Sequence, residues 1–255
     1  MNNLKKTLAS VLALLMILTC GGVTAAAQPT SALALSGSSP HTTLHSPYGI
    51  EVAQTTKNYA KNGLTVHTLG HLNTVDFKGT FEYGFPWDYT HEDTFHGTQS
   101  DLKVKFLHEQ TYSCPYGSDG KFQGLGLPYS GTDYELYLLL PTDSKQDPTA
   151  LWNSYSTEQK ASFLSTITSK AMASVSIPRM KLQATSAING YRQTVRLNVD
   201  ETGTAPDRVR KPIQRPYCKI PPRIRLTFYA NHPFYLLLKD NKTGKIIYEG
   251  AVMQL

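Results

Sequence analysis

Cysteine is scarce in this chain, three in 255 residues, which excludes a disulfide-built scaffold. Cys20 lies in the N-terminal apolar stretch, so only Cys114 and Cys218 remain for a folded body. A bridge between them and a free thiol at Cys218 both stay open. The motifs of catalysis are missing too: there is no Gly-x-Ser-x-Gly, no P-loop and no paired-cysteine zinc pattern. The chain therefore reads as a non-enzyme with no cofactor. His67-Thr-Leu-Gly-His71 sets two imidazoles at i and i+4, a spacing that serves a metal on a helix. No Glu follows the first His, and Gly70 weakens a helix, so both read as exposed or structural histidines and no metal site is expected. No run is long enough to cross a membrane, since Leu8 to Leu18 falls short of the roughly 20 residues a span needs. A globally basic surface is absent as well. The formal charge is +6, yet residues 205–225 alone hold seven Lys/Arg against one Asp. The rest of the body is slightly acidic once the leader is set aside, which excludes a nucleic-acid-binding face there.

What is present begins with a leader. Lys5 and Lys6 precede the apolar run, and Ala25-Ala26-Ala27 offers small residues for cleavage before Gln28. Residues 1–27 are read as a signal peptide and the chain as secreted, extracellular. A lipoprotein anchor at Cys20 is a lesser alternative, because Thr19 is a poor neighbour for it. Residues 28–47 have the Ser/Thr/Ala/Pro composition of a flexible linker, and residues 48–255 form the domain. Tyr48 to Gln54 reads as a first short strand. Leu102 to His108 alternates as a strand does, Tyr112 to Gly120 reads as a polar hairpin region, and His91 to His96 as a turn. Gly124–Gly131 and Tyr134–Pro141 read as adjacent buried strands. Residues 148–172 change period, with Ser156 placed to cap an amphipathic helix. Val175 to Leu182 returns to strand. Two apolar runs around Asp240-Asn-Lys-Thr-Gly244 make a C-terminal hairpin. The fold class is α+β, mostly antiparallel sheet with a few helices. Asn241-Lys-Thr243 is formally an N-glycosylation sequon within that hairpin turn.

Between Val199-Asp-Glu-Thr-Gly-Thr204 and Asn231-His-Pro-Phe234 runs a stretch whose 205–225 portion carries five prolines, suited to neither a helix nor a central strand. An acidic Gly-Thr hinge, an exposed loop and a buried hairpin in that order resemble a serpin and its reactive-centre loop. Asn73-Thr-Val-Asp-Phe-Lys-Gly-Thr-Phe81 is similar to the family's Phe-Lys-Gly strand, with Phe81 where Trp is usual. Leu125-Gly-Leu-Pro-Tyr129, Leu138-Leu-Leu-Pro141 and Ile177-Pro-Arg-Met-Lys-Leu182 follow in the family's order. The resemblance covers residues 69–255, the C-terminal portion of a serpin. It implies inhibition of a serine (or cysteine) protease through the loop segment 203–225. It also implies a hinge at Glu201, Gly203 and Thr204 and a sheet-opening switch at Asn73 and Gln193, where His is usual in place of Gln193. The candidate reactive bond is Tyr217-Cys218 by spacing from the hinge, while counting back from Pro233-Phe234 points a few residues later. The alternative is a non-inhibitory binding protein on a truncated scaffold, its basic loop attracting acidic polymers or surfaces. Residues 28–68 are too few for the family's early helices, and another helix is missing between Leu182 and Val195. A sheet face left bare by those losses is expected to expose apolar area. After Thr204 the inward positions of an inserting loop are Pro206, Arg208 and Arg210, a poor set for a central strand.

Overall fold

The computed structural model describes residues 42–167, 170–205 and 226–255. The leader, most of the linker and nearly all of the segment after Thr204, with Tyr217, Cys218, Pro206, Arg208 and Arg210, lie outside the described residues.

Pro47–Ala53 form helix α1, a correction to the strand expected over Tyr48–Gln54. The local chemistry favours the helix: Ser46 caps it by accepting the Gly49 N–H at 2.9 Å, and Pro47 occupies the first turn, where its missing N–H costs nothing. The described end of the linker, residues 42–46, is also built into the fold. Thr43 N–H donates to the Ala251 carbonyl and His45 pairs with Glu249, while Leu44 is buried in the core.

A seven-stranded sheet follows from β1 (Asn58–Lys61), β2 (Leu64–Leu69), β3 (Leu72–Phe77), β4 (Gly79–Thr80), β10 (Met180–Ile188), β11 (Tyr191–Asp200) and β12 (Gly203–Thr204). Its order is β1-β2-β3-β11-β12-β4, with β10 along the other edge of β11. β3 and β11 are parallel, Asn73 opposite Gln193 and Asp76 opposite Arg196. β10 and β11 form a hairpin paired from Met180↔Val199 to Ile188↔Tyr191. Its turn is Asn189-Gly190, both in the left-handed region at φ 49° and 81°, the conformation that suits a two-residue turn to strand twist. These two residues alone join β10 to β11, with no helix between them.

Side chains alternate across this sheet as the pleat requires. Val75, Phe77, Val195, Leu197, Val199, Leu182 and Met180 are buried on one face. Thr74, Asp76, Thr194, Arg196 and Asn198 are half-exposed on the other, with Lys181, Gln183 and Thr185 exposed beside them. The outer face is polar along most of its length, and the expected apolar exposure is confined to Leu69 and Leu72 at the β2–β3 turn.

The eight-stranded sheet contains β5 (His91–His96), β6 (Asp101–Ser118), β7 (Phe122–Pro128), β8 (Tyr134–Pro141), β9 (Lys170–Pro178), β13 (Leu226–Tyr229), β14 (Phe234–Asp240) and β15 (Ile246–Val252). The order is β13-β9-β6-β7-β8-β14-β15, with β5 beside β6. β8 is buried at every position, in keeping with its apolar run from Leu136 to Leu140 after Glu135. Two expectations are corrected. His91–His96 is a strand rather than a turn, and Tyr112–Gly120 is no hairpin: β6 continues to Ser118 after a bulge between Glu109 and Tyr112. Helix α2 (Pro148–Asn153) starts at an Asp147 cap, and α3 (Thr157–Thr166) at the Ser156 capping box closed by Gln159. They bring Trp152 and Phe163 onto Phe122 and Tyr235.

Candidate functional site: the mouth of the seven-stranded sheet

β3 and β11 pair from Leu72↔Arg192 to Asp76↔Arg196 and then part. β3 is interrupted at Lys78 and resumes as β4. Into the gap turns the chain leaving β11. The Asp200 carboxylate accepts the backbone N–H groups of Thr202 (2.8 Å) and Gly203 (3.2 Å), which reverses the chain in an Asx-type turn. Gly203 and Thr204 then run antiparallel to Asp200 and Val199 on one side and to Thr80 and Gly79 on the other. β12 is thus a short wedge between β11 and β4. Gly203 has φ 143°, and a Cβ there would lie 2.2 Å from the Gly79 carbonyl oxygen, so no other residue fits without moving backbone.

The three hinge residues are held by buried polar contacts. Glu201 is buried, its carboxylate paired with the Arg179 guanidinium and accepting from the Thr90 hydroxyl at 2.8 Å. Arg179 in turn lies 5.0 Å from the centroid of the Trp87 ring, a cation–π arrangement. Thr204 is fully buried, and its hydroxyl shares a 2.5 Å hydrogen bond with the Tyr129 phenol. Tyr129 itself packs on Phe77 and Phe81. Backbone bonds from Phe81 N–H to Thr202 and from Phe85 N–H to Glu201 complete the seat.

Two further groups close β3 on β11 below the wedge. Inside, Gln193 and Asn73 meet directly, the Gln193 amide donating to Asn73 Oδ1 at 2.8 Å. Gln193 also donates to the Ser46 carbonyl (3.0 Å) and accepts the Ser46 N–H (2.6 Å), so it acts as a side-chain bridge to the residue that caps α1. On the outer face Arg196 makes a bidentate pair with Asp76, Nε to Oδ1 2.7 Å and Nη2 to Oδ2 2.6 Å.

The structure thus assembles Glu201, Gly203 and Thr204 at the mouth and Asn73 with Gln193 beneath it. It also adds Arg179, Tyr129, Asp76 and Arg196, which sequence reading missed. The Asp76–Arg196 pair had a signal, since both sit at polar positions of alternating strands, but pairing them required the β3–β11 register. His67 and His71 stand on a strand and a turn, so their helical spacing does not apply. Among the described residues, no group of three or more His, Cys, Asp or Glu side chains is placed to hold a metal ion. Cys114 is a buried free thiol pushed up to about 12 by burial, hence unreactive.

Residues 52–191 match the family model described as Serpin (serine protease inhibitor). The chain belongs to the serpin family. It is similar to Serpin-Z2 of Arabidopsis thaliana, 26% identical over 71% of this chain and 48% of that protein. It is also similar to Intracellular coagulation inhibitor 1 of Tachypleus tridentatus, 25% identical over 73% of this chain and 52% of that protein. Among solved structures, native tengpin, a thermophilic serpin, matches with a TM-score of 0.59 at 20% identity, covering 72% of this chain and 55% of tengpin. The chain spans about half the length of the curated relatives it matches.

Proposed function

We propose that this chain is an exported, serpin-type inhibitor of a serine-type endopeptidase, offering the segment that follows Thr204 as bait, with Tyr217-Cys218 as the candidate bond. The observation that carries the reading is the wedge β12. The residues that precede the bait are already seated between β11 and β4, where a strand continuing the same line would run antiparallel to both β3 and β11. The relatives' names, Serpin-Z2 and Intracellular coagulation inhibitor 1, support an inhibitory role at the level of the family.

A second reading has its own observation. The Gln193–Asn73 contact and the Asp76–Arg196 pair hold β3 against β11 directly below the wedge, and uptake of more strand must break both. A chain that keeps its sheet shut is cut rather than trapping its protease, and then serves as a substrate or a basic binding segment. One experiment separates the two. The protein is incubated with chymotrypsin-, subtilisin- and trypsin-like enzymes and resolved by denaturing electrophoresis. A covalent complex larger than either component is expected for the inhibitor. Clean cleavage after Thr204, with no such band across the panel, would establish the second reading instead.

A further inference from the structure

Among the described residues three large apolar side chains are exposed: Leu69 at 78%, Leu72 at 55% and Trp87 at 38%. Trp87 already has the Arg179 guanidinium over its ring. The two leucines have no such cover, and they face each other across the β2–β3 turn as the last pair of that ladder. Gly70 turns the chain there at φ 58°. The β10–β11 turn lies alongside: Leu72 is opposite Arg192, Arg192 N–H donates to the His71 carbonyl at 2.8 Å, and the His71 and Tyr191 rings are 6.5 Å apart. Two narrow turns therefore form one convex tip that carries Leu69, Leu72 and Tyr191.

The two segments that make the tip, residues 67–73 and 187–193, carry no acidic residue. Arg192 is exposed, and so is Lys57, whose carbonyl accepts the Thr68 N–H across the edge of the sheet. A stable protein interface needs about 800 Å² from each partner, and two leucines on a convex turn offer far less. A lipid interface asks for what is present: a small apolar point, an aromatic ring able to sit at headgroup depth, and cations to meet anionic headgroups.

We propose that this tip docks the protein on a membrane surface bearing anionic lipid, with Leu69 and Leu72 entering the acyl boundary and Lys57 and Arg192 facing headgroup phosphates. The proposal is independent of the protease-directed reading and stands if that reading fails.

The test uses the full chain and vesicles of phosphatidylcholine with or without phosphatidylserine. The N-terminal apolar run also partitions into lipid, so the readout must be local. Leu72→Trp places a fluorophore at the tip, and the wild-type emission of Trp87 and Trp152 is subtracted. Its emission should shift to the blue on vesicles and be quenched by lipids brominated along the acyl chain. Leu69→Ser in that background should weaken the lipid dependence of the quench about tenfold, and Arg192→Gln should reduce the gain from phosphatidylserine. Emission and quench unchanged by vesicles, whether or not the chain sediments with them, would overturn the proposal. So would a tip emission that shifts with protein concentration in the absence of lipid, which would make the tip a contact between copies.

Discussion

Glu135 stands at the start of β8, opposite Lys239 of β14, and is buried. One of its carboxylate oxygens accepts from the Tyr137 phenol and the Asn241 amide, each at 2.7 Å. The other, Oε1, is buried without a partner, pressed toward Gly126. Burial raises the carboxyl above its ordinary value, and this outweighs the lowering by Tyr137, Asn241 and Lys239. The folded chain therefore holds this proton to higher pH than the unfolded chain does. Its contribution to stability is complete below the ordinary carboxylate range, near pH 4, and is lost as pH rises through the folded value. Glu135→Gln removes that dependence. The melting temperature of the variant should gain on the wild type between about pH 4 and pH 7.5 by roughly 2–4 °C, equivalent to about 1 kcal/mol. Parallel pH curves for the two proteins would contradict the assignment. The same contacts bear on the sequon at Asn241, whose amide is already committed to Glu135 and Tyr137.

Between elements, the backbone ladder that joins β3 to β11 is reinforced by one interior amide contact and one exterior ion pair. Arg196 is partly exposed and Asp76 mostly buried, at 38% and 15%, so solvent screens the pair and its worth is modest despite bidentate geometry. A double-mutant cycle of Asp76→Ala and Arg196→Ala should return a coupling of about 0.5–1 kcal/mol. Amide exchange should accelerate along β3 and β11 in either single variant while β7 and β8 stay protected. Equal acceleration in both sheets would mean the pair acts on global stability and not on this seam. Much of this architecture was legible in the chain. Tyr134–Pro141 announces a buried strand, Ser156 a helix start, and Leu102–His108 the period of two of a strand. The failures have local causes. Tyr48–Gln54 is short enough to suit either state, and its helix is decided by Ser46 and Pro47 just outside it. Tyr112–Gly120 holds Pro115 and Gly117, which read as breakers, yet β9 pairs with the strand across Pro115. The mouth was half-visible: the hinge residues come from the family resemblance, while Arg179 and Tyr129 are brought to them only by tertiary packing.

On the scale of the whole molecule, the described residues form two sheets that are joined by local devices. A two-residue turn joins β10 to β11, and polar side chains line most of the outer face of their sheet. If the sheet stays shut, cutting the chain between Arg208 and Arg225 should leave the melting temperature unchanged or lower by calorimetry. A rise of about ten degrees or more would show that the sheet opens and takes up the cut strand in spite of Pro206, Arg208 and Arg210. The pairing of residues 43–45 with 249–251 has a further consequence, for the timing of assembly. Thr43 and His45 find their backbone partners only on β15, so during synthesis this end of the domain cannot take its seat until β15 has left the ribosome. Such long-range closure is slow, on the order of milliseconds to seconds. Until that pairing forms, the N-terminal end of the domain stays unlocked, the condition in which a polypeptide can be threaded through a narrow translocation channel.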